Sequence, residues 1–290
     1  MSVQEAFEWC EHLVRSHYEN FPVASLLIPR TKRRYVAAIY AFARIADDFA
    51  DEGYGPDSKL SASDRLDSLD KWESQLVESY QGRATHPVFI ALSSTARDLT
   101  LPIELLSNLI SAFKQDVVKH TYSNFNELLD YCRRSANPVG RLVLRVFGYN
   151  DNELDRLSDS ICTALQLTNF WQDIAVDAGK NRIYLPQQDL ERFGVSAADV
   201  GELCFSEAFR SLVKFEVERT RDLFHTGAKL PELVHGRLKY ELRLTWNGGM
   251  KVLEKIEKMG FNTLQLRPQL VSSDKFRIAI RSLSPNRGAS

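Results

Sequence analysis

Apolar residues recur every three or four positions along almost the whole chain, which is the spacing of amphipathic helices. Between these segments lie short clusters that contain Pro and Gly, which favour turns over continued helix. The pattern predicts helices over residues 3–20, 35–52, 61–80, 124–132, 150–177, 206–226 and 231–259, with a loop over residues 178–186.

Capping residues mark the starts of several predicted helices. Three starts pair a capping side chain with an acid three residues later: Ser61 with Asp64, Asn124 with Glu127, and Asn150 with Glu153. Pro87 and Pro102 each suit the first turn of a helix. Pro138 and Gly140 interrupt the helix that passes through Cys132, so a broken turn aimed at a cavity is expected there.

Strand signals are missing from the pattern. No segment alternates apolar and polar residues, and Asn247-Gly248 lies inside a helical pattern rather than between strands. There is no long linker, internal repeat or low-complexity tract. The sequence therefore predicts one all-α domain over residues 1–290, a helical bundle, with residues 286–290 frayed.

Composition narrows the class of protein. The chain has 290 residues, is 44% hydrophobic and carries a net charge of −1, so no basic field indicates a nucleic-acid partner. The four cysteines lack the spacing of a zinc site or a disulfide framework, which suits a reducing cytoplasm. The acidic N-terminus does not read as a signal peptide, and no run of 18 apolar residues predicts a membrane span. Peripheral contact with the inner face of the membrane stays open.

Two acidic segments carry the candidate chemistry. Asp47 and Asp51 are four residues apart, as are Asn169, Asp173 and Asp177, so each set is expected on one face of a helix. Like charges stacked in this way repel one another. Their neighbours are apolar, so we expect the carboxylates to face inward, where a cation must compensate them. The alternative is two solvated acidic patches.

Oxygen ligands without Cys or His favour Mg²⁺ over zinc. Protein-bound Mg²⁺ usually shares its coordination shell with substrate phosphates. The two segments therefore predict a diphosphate held by Mg²⁺ between two helices.

Four motifs, in order along the chain, resemble the squalene/phytoene synthase family of head-to-head prenyl synthases. They are Arg44 with Asp47 and Asp51; Phe125-x-x-Leu128-x-x-Tyr131-Cys132 followed by Val139-Gly140; the run from Gln166 to Asp177; and Asn181-Arg182-Ile183-Tyr184-Leu185-Pro186. The resemblance covers nearly the whole chain. It implies an all-α isoprenoid-synthase fold of the class that ionises diphosphates, with a central cavity.

The resemblance also implies roles for individual residues. Asp47, Asp51, Asn169, Asp173 and Asp177 would be catalytic and would hold more than one Mg²⁺ ion. The implied substrate-binding residues are Arg44, Gln166, Arg182, Phe21, Val139, Asn137 and Arg134. Mg²⁺ and Arg would neutralise the charge that develops on the leaving diphosphate. An apolar cavity would shield the cation, with ordinary core packing as the alternative role of its candidate walls, which are Phe21, Phe42, Phe113, Val139, Leu165 and Phe170.

Departures from the family pattern favour one branch. Squalene synthases of this family carry Tyr where this chain has Arg134 and Gly where it has Asn137, and Gly249 replaces a tyrosine of the family pattern. The run from His17 to Ser25 also departs from their pattern. With these departures the sequence resembles the hydroxysqualene synthase branch of bacterial hopanoid synthesis. Enzymes of that branch convert presqualene diphosphate to hydroxysqualene and need no NADPH.

Two other functions stay open. A full synthase would make presqualene diphosphate, squalene or phytoene from two allylic diphosphates. A non-catalytic relative would act as an assembly factor, although such a protein is expected to lose its acids. The expected partners are the diphosphate substrate, the membrane surface and other enzymes of squalene synthesis.

Overall fold

The computed structural model describes residues 1–16, 28–51 and 60–283. Within these ranges no strand forms, and Thr121 and Ile183 make an isolated parallel bridge. The helices are α1 (Val3–Ser16), α2 (Arg30–Asp51), α3 (Ala62–Tyr80), α4 (Pro87–Leu99), α5 (Ile103–Val118), α6 (Phe125–Ser135), α7 (Asn137–Val146), α8 (Asn152–Gln172), α9 (Ile174–Gly179), α10 (Gln187–Phe193), α11 (Ala197–Gly201), α12 (Glu207–Gly227), α13 (Leu230–Leu233), α14 (Arg237–Lys258) and α15 (Ser272–Leu283). The all-α prediction is confirmed for the described residues.

The described residues form two compact units. The first comprises residues 1–119 and 138–155. In it α2 packs against α1, α3, α4 and α5 around one apolar cluster. The buried face of α2 is rich in alanine, and small side chains allow neighbouring helices to approach closely. Phe42 and Phe89 contact Trp72 at the centre of this cluster, so Phe42 is an ordinary core residue.

The second unit comprises residues 120–137 and 156–290. Here α12 packs against α10 and α14, and α14 packs against α13 and α15. Two glycines allow close helix contacts. A Cβ atom at Gly227 would lie 2.4 Å from Ile161 Cγ1, and one at Gly249 would lie 2.3 Å from Phe224 Cζ. The prediction of a single domain stays a prediction.

Most of the predicted helix starts are confirmed. Ser61 and Asp64 form the expected capping box, Asn124 caps α6, Ser206 caps α12, and Pro87 begins α4. The broken turn near Pro138 is also confirmed, because α6 and α7 are separated at Ala136.

Three boundaries differ from prediction. Asp151, rather than Asn150, accepts hydrogen bonds from the first amides of α8. The predicted helix over residues 231–259 divides into α13 and α14, because Gly236 adopts a positive φ of 65°. The predicted helix over residues 150–177 divides at Asp173. None of the described helices is long and apolar enough to cross a membrane.

Candidate active site

The first acidic segment lies on the last two turns of α2. Arg44 Nη1 donates to Asp47 Oδ2 at 3.4 Å, and Arg44 Nη2 donates to Asp48. Both acids are within reach because residues three and four positions apart are neighbours on a helix. Asp51 is exposed and Asp47 is partly exposed. The prediction that these carboxylates face inward is therefore wrong for Asp51, and Arg44 supplies a compensating positive charge.

Arg44 has unused hydrogen-bonding capacity. Its Nε is buried and has no acceptor in the described part of the chain. A buried donor without an acceptor is costly, so an anionic oxygen from a ligand would be stabilised there. Tyr40 lies one turn earlier, and burial is the main cause of its raised pKa. The charge of Arg44 opposes this rise, and the charges of Asp47 and Asp48 add smaller increases. Tyr40 therefore stays a neutral hydroxyl beside this charged turn.

The second acidic segment is broken at its central acid. The helix α8 ends at Gln172, and Asp173 has φ −110° and ψ 17° before α9 begins. Hydrogen bonds nevertheless continue, from the Asp173 amide to Asn169 O and from the Asp177 amide to Asp173 O, both at 2.9 Å. The four-residue spacing is thus retained across the break. Asn169 is exposed, whereas the carboxylates of Asp173 and Asp177 belong to half-buried residues.

Arg267 is the site residue that the sequence reasoning missed. Its Nε and Nη2 donate to the two carboxylate oxygens of Asp173 at 2.5 and 3.1 Å. The hydrogen bond with Asp173 is the main cause of a raised Arg267 pKa. Gln172 donates to Pro268 O at 2.5 Å and holds the same segment. No spacing signal could reveal this pair, because its members lie 94 residues apart.

The loop after α9 positions Arg182. Asn181 adopts a positive φ of 57°, a conformation that Asn tolerates better than most residues. The chain then turns so that the Arg182 amide donates to Asp177 O, and the Ile183 amide donates to His120 O, at 2.9 and 2.8 Å. The side chains of Asp177 and Arg182 line the same small cavity. An acid and a base from two motifs therefore converge within the second unit.

An aromatic cluster unites three of the sequence motifs. Phe170 stacks on Tyr184 with ring centroids 3.7 Å apart, and Tyr131 and Tyr122 pack around them. Tyr131 comes from α6, Phe170 from α8 and Tyr184 from the loop before α10. Stacked and tilted aromatic pairs stabilise such a cluster beyond their burial alone. The cluster fixes α6, α8 and the Arg182 loop against one another.

A buried polar network lies behind α8. Trp171 Nε1 donates to Thr220 Oγ1 at 2.8 Å, and Thr220 Oγ1 donates to Glu216 O. The Glu216 carboxylate is fully buried and lies 2.5 Å from Arg219, which also pairs with Asp189 at 2.8 Å. Burial raises the pKa of Glu216 to about 8 despite the opposing charge of Arg219. Burial therefore favours the protonated form of the Glu216 carboxyl more than water would.

The other predicted substrate-binding residues differ in burial and in hydrogen-bond partners. Arg134 donates to Asp130 on its own helix, and Asn137 is buried and accepts from Thr163 at 2.9 Å. Val139 is exposed and Gln166 is half-buried. Phe21 lies outside the described residues.

The donor set suits Mg²⁺ chemically. The end of α2 carries three carboxylates against one guanidinium, and residues 169–177 supply two carboxylates and one amide oxygen. Within the described ranges, no three His, Cys, Asp or Glu side chains form a metal-binding group. The metal-ligand roles of Asp47, Asp51, Asn169, Asp173 and Asp177 stay predictions.

Comparison with known proteins identifies the family. A sequence model of the family described as squalene/phytoene synthase matches residues 14–275. The chain belongs to the squalene/phytoene synthase family. It is 36% identical to a hydroxysqualene synthase of Zymomonas mobilis subsp. mobilis, over 76% of this chain and 72% of that protein. It is 32% identical to a phytoene synthase of Mycobacterium tuberculosis, over 79% of this chain and 74% of that protein.

Solved structures agree with this family. The chain is 43% identical to a crystal structure described as squalene synthase HpnC from Alicyclobacillus acidocaldarius, with a TM-score of 0.84 over 90% of this chain and 96% of that one. The predicted isoprenoid-synthase fold is confirmed. Squalene/phytoene synthases are prenyl-transferring enzymes that act on prenyl diphosphates and use divalent metal ions to ionise them.

Proposed function

We propose that this squalene/phytoene synthase family member converts presqualene diphosphate to hydroxysqualene and diphosphate, as part of bacterial hopanoid synthesis. The C–O bond to the diphosphate breaks, the carbon skeleton rearranges, and water adds to the final cation with release of a proton. No reductant takes part, so NADPH is not required.

The packing at Gly249 carries this proposal. The resemblance to the family implies that Gly249 replaces a tyrosine of the family pattern. A Cβ atom at Gly249 would lie 2.3 Å from Phe224 Cζ and 3.0 Å from Leu165 Cδ2. Phe224 is fully buried, so its ring would have to shift within the core to admit a side chain at this position. A tyrosine at position 249 would require Phe224 and Leu165 to move apart, and this supports a site without that tyrosine hydroxyl.

The other aligned tyrosine is also absent. Arg134 takes its position and is held by Asp130 one turn away. We assign Arg134 to the diphosphate side of the reaction, because a guanidinium next to a carbocation would be repelled. Loss of both tyrosines disfavours the first half-reaction, in which two farnesyl diphosphates are joined.

The charged groups have separable roles in this scheme. Arg44 and Arg182 would hold diphosphate oxygens, and the buried Nε of Arg44 offers a donor without an acceptor. Asp47, Asp51, Asn169, Asp173 and Asp177 would hold Mg²⁺, which when bound neutralises charge on the leaving diphosphate. Gln166 lies one turn before Asn169 and would contact the same ligand. The side-chain oxygen of Asn137 accepts from Thr163, and its amide group would hold the water molecule in this scheme.

The main alternative is a full synthase that starts from two allylic diphosphates. The similarity to the Mycobacterium tuberculosis phytoene synthase supports it. A non-catalytic assembly factor is disfavoured because both acidic segments keep all of their acids. In the main proposal the enzyme works in the cytoplasm at the inner face of the membrane, beside other enzymes of squalene synthesis, because substrate and product are both strongly apolar.

A product assay tests the proposal directly. Purified protein with Mg²⁺ is given either farnesyl diphosphate or presqualene diphosphate, with and without NADPH. We expect hydroxysqualene from presqualene diphosphate alone, with its oxygen derived from isotope-labelled water and no effect of NADPH. Squalene or phytoene from farnesyl diphosphate at a comparable rate would establish the full synthase instead.

A further inference from the structure

The C-terminal helix α15 packs against α14 through polar side chains. Asp274 is buried and pairs with Lys255 at 2.5 Å. Ser282 is also buried, and its hydroxyl accepts from Asn247 Nδ2 at 3.1 Å while its carbonyl accepts from Arg243. A surface helix of a globular protein normally turns its apolar stripe toward the core. In α15 the polar side chains Asp274 and Ser282 face the neighbouring helix instead.

The apolar stripe of α15 therefore faces outward. Phe276, Ile280 and Leu283 are 68%, 53% and 71% exposed. They are spaced four and three residues apart, so they lie on one face of the helix. Val271, just before the helix, is exposed as well. Contiguous exposed apolar side chains of this size mark an interaction surface rather than ordinary surface variation.

Basic residues flank the stripe on both sides. Lys275 lies on one flank and Arg277 on the other, each roughly 100° around the helix from Phe276, and Arg281 lies one turn beyond Arg277. All three are exposed. Asp274 is the helix's single acid, and it is buried and paired. The outer face of α15 is thus apolar at its centre and positively charged at its edges.

A cleft adjoins the same edge of the helix. Arg277 and Arg281 line it together with Arg221 of α12 and Lys251 of α14, and its volume is about 350 Å³. Its acids, Glu254 and Asp274, pair with lysines of α14. Within residues 1–16, 28–51 and 60–283, neither Arg277 nor Arg281 makes an ion pair. Both guanidinium groups are therefore available to a ligand phosphate.

We propose that the outer face of α15 docks on a bilayer that contains anionic phospholipids. Phe276, Ile280 and Leu283 would enter the interface between headgroups and acyl chains, as interfacial amphipathic helices do. Lys275, Arg277 and Arg281 would bind lipid phosphates, and the cleft would admit a headgroup. A second copy of this chain fits less well, because two such faces would bring the same basic flanks together. The proposal assigns a surface to the membrane contact proposed above and does not depend on which reaction the enzyme performs.

Vesicle co-sedimentation of the full chain tests this proposal. We expect binding to vesicles that contain phosphatidylglycerol, little binding to phosphatidylcholine alone, and weaker binding as salt rises. The variant Phe276→Ser/Ile280→Ser/Leu283→Ser should bind at least about tenfold more weakly. The variant Arg277→Gln/Arg281→Gln should also lose about tenfold on anionic vesicles. Because these side chains point away from the core, both variants should keep the wild-type melting temperature and turn over substrate normally in detergent.

Matched controls separate the helix face from general surface effects. Val77→Ser/Val118→Ser removes exposed apolar residues of the first unit, and Arg97→Gln removes an exposed positive charge there. Both should bind vesicles like wild type. Wild-type vesicle binding by the α15 triple variant would overturn the proposal. So would a wild-type dimer that the triple variant dissociates, since the face would then bind a second copy.

Discussion

The two acidic segments differ in where their compensating charge comes from. In the first, Asp47 and Asp48 are paired with Arg44 on the same uninterrupted helix. In the second, Asp173 sits at a helix break and is paired with Arg267 from a segment 94 residues away. The first arrangement needs little beyond formation of α2. The second also needs the segment that carries Arg267 to pack against the end of α8.

The layers behind the two segments differ in the same way. The helix α2 is backed by an apolar cluster and buries a run of alanines. The helix α8 is backed by close contacts at Gly227 and Gly249 and by the polar network around Glu216. Buried polar groups and tight glycine contacts tolerate less change than an alanine-rich apolar face. We therefore expect loss of an acid from either segment to lower activity equally. We expect substitutions in the packing behind the second segment to cost more stability than those behind the first.

The largest expected effect is the loss of activity when one acid of either segment is replaced. Asp47→Asn and Asp173→Asn should each lower kcat/KM at least about a hundredfold, because each removes a charge that serves the leaving diphosphate. Circular dichroism and thermal melting should show that both variants remain folded. The matched controls Asp67→Asn and Asp222→Asn change exposed helix acids in the two units and should retain activity. Near wild-type turnover by Asp47→Asn at saturating Mg²⁺ would remove the first segment from the site.

Co-binding of metal and pyrophosphate sharpens the same comparison. Mg²⁺ and pyrophosphate together should raise the melting temperature by more than the sum of their separate effects, since each completes the other's coordination. At concentrations about a hundredfold above Kd the gain should approach 3 kcal/mol. The excess should vanish in Asp51→Asn and in Asp173→Asn alike. Strictly additive shifts in the wild-type protein would argue against one shared site.

Sequence patterns predicted the part of the molecule that is set by local rules. The helix of the first segment, the caps at Ser61 and Asn124 and the break before Asn137 depend on neighbours within four residues. The Arg267 fork and the filling of Gly249's space by Phe224 depend on contacts across the fold, which spacing cannot reveal. The helix α15 was not predicted from the sequence, and its orientation is set by polar partners that lie on α14.

The adjacent glycines of α14 test the tight packing behind the second segment. Gly248 has open space at its Cβ position, whereas Gly249 meets Phe224. Gly248→Ala should stabilise the protein by about 0.5–1 kcal/mol through helix propensity. Gly249→Ala should destabilise it by about 1–3 kcal/mol because the core is overpacked. Urea melts should show a higher free energy of unfolding for Gly248→Ala and a lower one for Gly249→Ala. Equal shifts would show that the Phe224 ring moves aside at little cost.

The buried Glu216 should give the second unit a pH dependence. Its pKa is about 8 in the folded protein and 4.5 when unfolded, so its stabilising contribution is complete below 4.5 and is lost as pH rises through about 8. Arg219 and Asp189, which face it, keep their pair throughout. Between pH 6 and 9, Glu216→Gln should therefore lose on the order of 1–2 kcal/mol less stability than the wild-type protein. Glu241→Gln is the comparison, because a raised pKa of about 7 should end the loss from Glu241 about one pH unit before the loss from Glu216 ends.

The smallest expected effect concerns the two arginines themselves. Arg44→Gln removes contacts within one helix, which should cost about 0.3–0.5 kcal/mol and leave amide exchange unchanged elsewhere. Arg267→Gln removes a half-exposed pair, which should cost no more than about 1 kcal/mol globally. Its local effect should be larger, because the pair ties residues 262–268 to the end of α8. Faster amide exchange at Thr263 and Gln265 should report this release.

The control for that release is Arg221→Gln, which breaks a similarly exposed pair with Glu257 between α12 and α14. Because those helices are also joined by core packing, exchange near residue 265 should stay as in wild type. Arg267→Lys should restore the exchange only in part, because an ammonium cannot reproduce the two-point contact with Asp173. If Arg44→Gln and Arg267→Gln alter exchange equally little, the distant arginine holds its acid no differently from the local one, and the contrast between the two segments fails.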